Sequence, residues 1–175
     1  NSLQDNPKEA FPYKYAGKSL LALGQLEKAQ QCLAKAHQLD SGDPEIVKDI
    51  GNIFNSIRNY QEAAKYYNLA LGIDPNFAPA MNNLGLIAKQ QGNLQVAKQL
   101  VEKAINLDPK FVNFHLNLSG IYKGLGNLDQ ALASTLKALE LKPDHPDAHI
   151  NLSGIYIELG NLDQALASTL KSLEL

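Results

Sequence analysis

A chain of 175 residues with 45% hydrophobic and 19% charged residues can bury a substantial core and lacks the composition of a disordered segment. Its formal net charge of −2 argues against a phosphate backbone as the main partner, because nucleic-acid binders concentrate positive charge. Cys32 is the only cysteine, which excludes an intramolecular disulfide and a thiolate zinc site and favours a reducing, cytoplasmic setting.

Self-similarity is the first signal along the chain. The stretch from His115 to Leu141 recurs from His149 to Leu175 at an offset of 34 residues. It differs only at Leu116/Ile150, Lys123/Ile157, Gly124/Glu158 and Ala138/Ser172. The same offset links Pro75, Pro109 and Pro143, and it links Ala29, Ala63, Ala97, Ala131 and Ala165. In chain order, residues 1–9 read as the tail of a preceding repeat, with Pro7 two periods before Pro75. Five units follow, at 10–43, 44–77, 78–111, 112–145 and 146–175, the last one short of a full period.

Each unit predicts two amphipathic helices. In the fourth, Leu118, Ile121, Tyr122 and Leu125 share one helical stripe; Leu128, Ala131, Leu132, Thr135, Leu136 and Leu139 share another. Gly126-Asn127 separates them, with Gly24-Gln25, Gly92-Asn93 and Gly160-Asn161 as equivalents, because glycine can end a helix in the left-handed conformation. The second unit has Arg58-Asn59 there, and Asn59 is expected to take that conformation at some cost. Asp129 and Asp163 fall in the first turn of the second helix, where a carboxylate suits the helix dipole. The proline closing a unit stops the second helix. Neither helix can bury its stripe alone, so the prediction is an all-α solenoid of helix-turn-helix hairpins stacked in a right-handed superhelix.

This pattern resembles the tetratricopeptide repeat family over residues 10–175. Leu118, Gly120, Tyr122, Gly126, Ala131, Ala138 and Pro143 carry the likeness in one unit. There are departures. The family's first-helix glycine is Ser119 here, although Gly51 and Gly85 keep it, and its early tryptophan is replaced by Tyr13, Val47, Met81, His115 and His149. The resemblance implies that first helices line a concave face that holds a protein or peptide.

On that face one column reads Tyr15, Asp49, Asn83, Asn117 and Asn151. Three asparagines in succession form a ladder able to donate to and accept from the backbone of an extended peptide. The ladder resembles the asparagine column in the repeat arm of O-linked N-acetylglucosamine transferases, which makes a substrate-recruiting arm one alternative. Neighbouring columns run from Lys14, Lys18 and Lys48, through Asn52 and Asn82, to Leu86, Leu116, Ile150 and Ile157, suiting a partner with an acidic end and an apolar end. A second comparison is the carboxylate clamp of chaperone-binding repeat domains. Lys48, Asn52 and Asn83 match its first three places, but Asn113 and Asn117 stand where its last two cations would be.

The last hairpin is expected to expose Leu162, Leu166, Leu170 and Leu173 and to stack against a second copy, since both ends read as cut from a longer array. Structural assembly is therefore the alternative to peptide binding. His115 and His149 recur one period apart but lack convergent carboxylates or thiolates, so packing rather than a metal is expected. Asn117-Leu118-Ser119 and Asn151-Leu152-Ser153 match a glycosylation sequon but fall inside predicted helices. No phosphate loop and no nucleophile–base set is visible, so the reading is a protein-binding module with no enzyme activity, no cofactor and no membrane span.

Overall fold

A computed structural model describes residues 6–175. Among the described residues there are ten helices and no strands: α1 (Pro7–Ala22), α2 (Leu26–Leu39), α3 (Pro44–Ser56), α4 (Tyr60–Ile73), α5 (Ala78–Gln90), α6 (Leu94–Leu107), α7 (Val112–Gly124), α8 (Leu128–Leu141), α9 (Pro146–Glu158) and α10 (Leu162–Glu174). They form two compact units, one ending at Asn83 and one beginning at Leu84. Of the segment read as a repeat tail, residues 1–5 lie outside the described residues, and Pro7 to Glu9 form the first turn of α1.

The helix ends follow from local chemistry. Gly24, Gly92, Gly126 and Gly160 all have φ between 70° and 80°. In the fourth hairpin Asn127 N–H reaches the Tyr122 carbonyl at 2.9 Å and Gly126 N–H the Lys123 carbonyl at 3.0 Å, a Schellman stop that satisfies the last carbonyls of α7. In the second hairpin the left-handed residue is Arg58, at φ 60°, and not Asn59. The repeat register puts Arg58 at the glycine place. Asn59 is instead the N-cap of α4, its side chain accepting from Glu62 N–H at 3.2 Å. Asp43 caps α3 in the same way, accepting from Glu45 N–H at 2.8 Å ahead of Pro44 in the first turn.

In the first unit α1 packs on α2 and α3 on α4, and α2 meets α3. Their shared core is Ala29, Leu33, Ala36, Ile46, Ile50 and Ile53. In the second unit α7 pairs with α8 and α9 with α10, while α6 meets α7 and α8 meets α9 around Val101, Leu118, Ile121, Tyr122 and Ile155. Each fully buried aliphatic contributes roughly 1.5–3 kcal/mol by leaving water. The hairpins close tightly because the first-helix glycines leave no gap: a Cβ on Gly51 would sit 2.6 Å from Tyr67 Cε1, and one on Gly85 would sit 2.7 Å from Val101 Cγ2.

Within each unit the first helices of successive hairpins touch one another, α1 with α3 and α7 with α9. The second helices, α2 with α4 and α8 with α10, do not pack to a comparable extent. The side bearing the first helices is thus the closed, inner side of each stack, and it carries the candidate site.

Candidate interaction surface

In the first unit the inner side is a closed polar network. Lys14 is buried and pairs with Asp43 at 2.6 Å and Glu45 at 2.7 Å; Lys18 also pairs with Glu45, at 2.6 Å. Lys48 lies 2.6 Å from buried Asp49. The lysines expected to form an open cationic end therefore have carboxylate partners within the hairpin stack. Burial opposes ionisation of Glu45, but the hydrogen bonds and charges of Lys14 and Lys18 outweigh it and hold its pKa at about 2. Burial likewise lowers the Lys14 pKa, yet Asp43 and Glu45 raise it above its ordinary value. The Lys18 pKa is raised chiefly by its hydrogen bond to Glu45.

Asn52 is the hub of the next tier. Its Nδ2 donates to Asp49 Oδ1 at 3.1 Å, and its Oδ1 accepts from the Tyr67 hydroxyl at 2.9 Å and from Asn83 Nδ2 at 3.0 Å. Asn82 is buried and donates to Asn83 Oδ1 at 3.2 Å. Asp49, Asn52, Asn82 and Asn83 are thus one chain of amides and a carboxylate, anchored from α4 by Tyr67. Burial drives the Tyr67 pKa up, so the hydroxyl stays protonated and donates. Periodicity does not single out Tyr67, since its place in the second helix reads as core.

The second unit is arranged differently. Asn117 on α7 and Asn151 on α9 are half-buried, each followed one turn later by a glycine, Gly120 and Gly154. A Cβ on Gly120 would meet only the Lys89 side chain, Nζ at 2.8 Å, and one on Gly154 only Lys123 Nζ, at 3.4 Å. Lys123 pairs with Glu158 of the next first helix at 2.8 Å. Leu116 is buried, whereas Ile150 and Ile157 are 57% and 58% exposed. Asn113 is exposed, on the same stripe of α7 as Asn117 and Gly120. The serines of both sequons, Ser119 and Ser153, are buried within α7 and α9.

His115 Nε2 donates to the Pro109 carbonyl at 2.8 Å, and His149 Nε2 does the same to Pro143 at 2.8 Å, tying each first helix to the turn before it. Among the described residues no cluster of three or more His, Cys, Asp or Glu could hold a metal ion, and no helix is long and apolar enough to cross a membrane. On α10, Leu162, Leu166, Leu170 and Leu173 are all exposed, Leu173 at 78%.

Paired helices joined by left-handed turns, stacked with first helices inward, define a helical-repeat scaffold for protein interaction. Tetratricopeptide repeat models match residues 16–76, 78–111, 112–145 and 136–170, and the chain belongs to that family. No curated protein sequence matches it. Among solved structures it is similar to the tetratricopeptide protein TTC0263 of Thermus thermophilus, with a TM-score of 0.82 and 24% identity over 94% of this chain and 90% of that one. It is also similar to PilF of Pseudomonas aeruginosa, at 0.85 and 22% over 96% of this chain and 77% of that one. A third is MamA of Desulfovibrio magneticus, at 0.75 and 21% over 98% and 96%.

Proposed function

We propose that the inner side of the first helices binds an extended segment of a partner protein, and that the chain recruits that partner without catalysing a reaction. The observation that carries this reading is the register of Asn117 and Asn151 on touching helices, each one turn from a glycine whose absent Cβ would meet only the end of a lysine side chain. A peptide backbone can bond to the two amides beside those lysines, and each amide contact contributes about 1 kcal/mol net. Asn83, with Asn52 and Asn82 behind it, offers the same chemistry in the first unit. Lys14, Lys18 and Lys48 shape the surface there more than they charge it, because Asp43, Glu45 and Asp49 already neutralise them.

The test is the triple replacement of Asn83, Asn117 and Asn151 by alanine. We expect peptide capture on an array to fall about tenfold or more while helical content by circular dichroism stays that of the parent. Undiminished capture would remove the ladder from the mechanism.

A second reading, favoured by the exposed Leu162, Leu166, Leu170 and Leu173, is self-association through α10. In the fourth hairpin the equivalents of Leu166 and Leu173 are Leu132 and Leu139, which pack against clusters that α9 helps to build through Ile155 and Ala148. An apolar helix of a second copy would complete the same packing on α10. The two activities use different faces and are compatible.

A further inference from the structure

Lysines of the first helices recur at one place in the repeat, and they are not equivalent. Lys123 on α7 is capped by Glu158, which lies on the next first helix, α9. Lys89 stands one period earlier, and the residue one period before Glu158 is Gly124. Lys89 therefore lacks the carboxylate that its successor has, and among the described residues no acidic group pairs with it. Its ammonium lies over the backbone of α7 at Gly120, one turn from Asn117. Two periods along the same row, Ile157 replaces the lysine and stands 58% exposed, with Ile150 beside it at 57%.

We infer that Lys89 is the point where this inner face takes an acidic side chain of a bound extended peptide, with Ile150 and Ile157 taking an aliphatic residue of the same peptide. The proposal rests on the peptide-binding reading above and names the ligand's chemistry. Charge complementarity decides the polarity: Lys123 is already neutralised, and the uncompensated charge at Lys89 selects an anion. The Lys89 ammonium lies over α7 and Ile157 stands on the adjoining α9, so one helix spacing of about 8–10 Å separates them. An extended chain rises about 3.3 Å per residue, which sets the acid and the aliphatic residue about three positions apart.

The experiment uses an array of blocked decapeptides in which one aspartate and one isoleucine are stepped through separations of two to eight residues. Each has a counterpart with asparagine for aspartate. The parent protein is expected to prefer the aspartate peptides about fivefold, the size of a partly exposed ion pair, with an optimum at about three. Lys89→Gln should abolish that preference and leave binding of the asparagine peptides unchanged. Gly124→Glu should do the same while keeping the lysine, by giving Lys89 the internal partner that Lys123 has. A preference that survives Lys89→Gln, or none in the parent, overturns the inference. If peptides bind through Asn117 and Asn151 without preferring the acid, this proposal alone fails; if no peptide binds the parent, the groove reading fails with it.

Discussion

Ser119 on α7 and Thr135 on α8 hold each other with hydroxyl oxygens 2.7 Å apart, both buried in the fourth hairpin. Both also lie within 3.0 Å of the Ala131 carbonyl, so one hydroxyl donates to the carbonyl and the other to its neighbour. The fifth hairpin repeats the contact with Ser153 and Thr169, at 2.7 Å. In the first three hairpins the same two places hold a glycine against a larger side chain: Gly17 with Leu33, Gly51 with Tyr67 and Gly85 with Val101. The repeat thus closes its hairpins in two ways, by a side chain seated on a bare helix or by a buried hydroxyl pair.

Exchanging one solution for half of the other should be destabilising. Thr135→Val leaves the Ser119 hydroxyl only the Ala131 carbonyl and should cost about 1 kcal/mol, whereas Ser119→Ala with Thr135→Val should cost less than the sum, because no buried hydroxyl remains. A double-mutant cycle by urea denaturation measures the difference.

Gly51→Ser drives a new side chain into the Tyr67 ring, 2.6 Å from where its Cβ would sit, and should cost roughly 2 kcal/mol or more. Adding Tyr67→Thr, which restores the pairing of the fourth hairpin but gives up the bond to Asn52, should cost less in that background than in the parent. A double variant less stable than the sum of its parts would show the two solutions not to be interchangeable.

Arg58→Gly should raise the melting temperature. An L side chain at φ 60° carries a steric penalty of about 1–2 kcal/mol that glycine avoids, partly offset by the greater freedom of glycine in the unfolded chain. The expected gain is about 0.5–1 kcal/mol, read by differential scanning calorimetry. The same replacement at Asn59 should instead lose the cap on Glu62 N–H.

Acid should weaken the first hairpins through Glu45. Its folded pKa, about 2, lies below its unfolded value of 4.5, so the unfolded chain binds more protons between them. The contribution is fully present above pH 4.5 and is lost as pH falls through 2. Because Glu45 is partly in water, we expect about 1 kcal/mol at neutral pH. Glu45→Gln should therefore be less stable than the parent at pH 7 and nearly equal to it near pH 2, in parallel chemical melts.

Leu166→Gln with Leu173→Gln should lower any concentration-dependent mass seen by light scattering, with the helical content kept. A mass that stays above one chain in this variant would place the association elsewhere.

The period, the paired helices, the glycine stops and the exposed leucines of α10 are all legible in the order of the amino acids. Each rests on interactions within a turn or two of helix, or on the next copy of the same pattern. Stacking, and not local pattern, fixes the charge state of the inner side. Lys14 finds Asp43 29 residues away, Lys18 finds Glu45 at 27 and Asn83 finds Asn52 at 31, all through the packing of one hairpin on another. The same packing brings Glu158 to Lys123 and leaves Lys89 beside Gly120. Local periodicity shows that a lysine sits on the inner face. Whether its charge is spent depends on which side chain the neighbouring repeat presents across the gap, and that is a property of the packed stack.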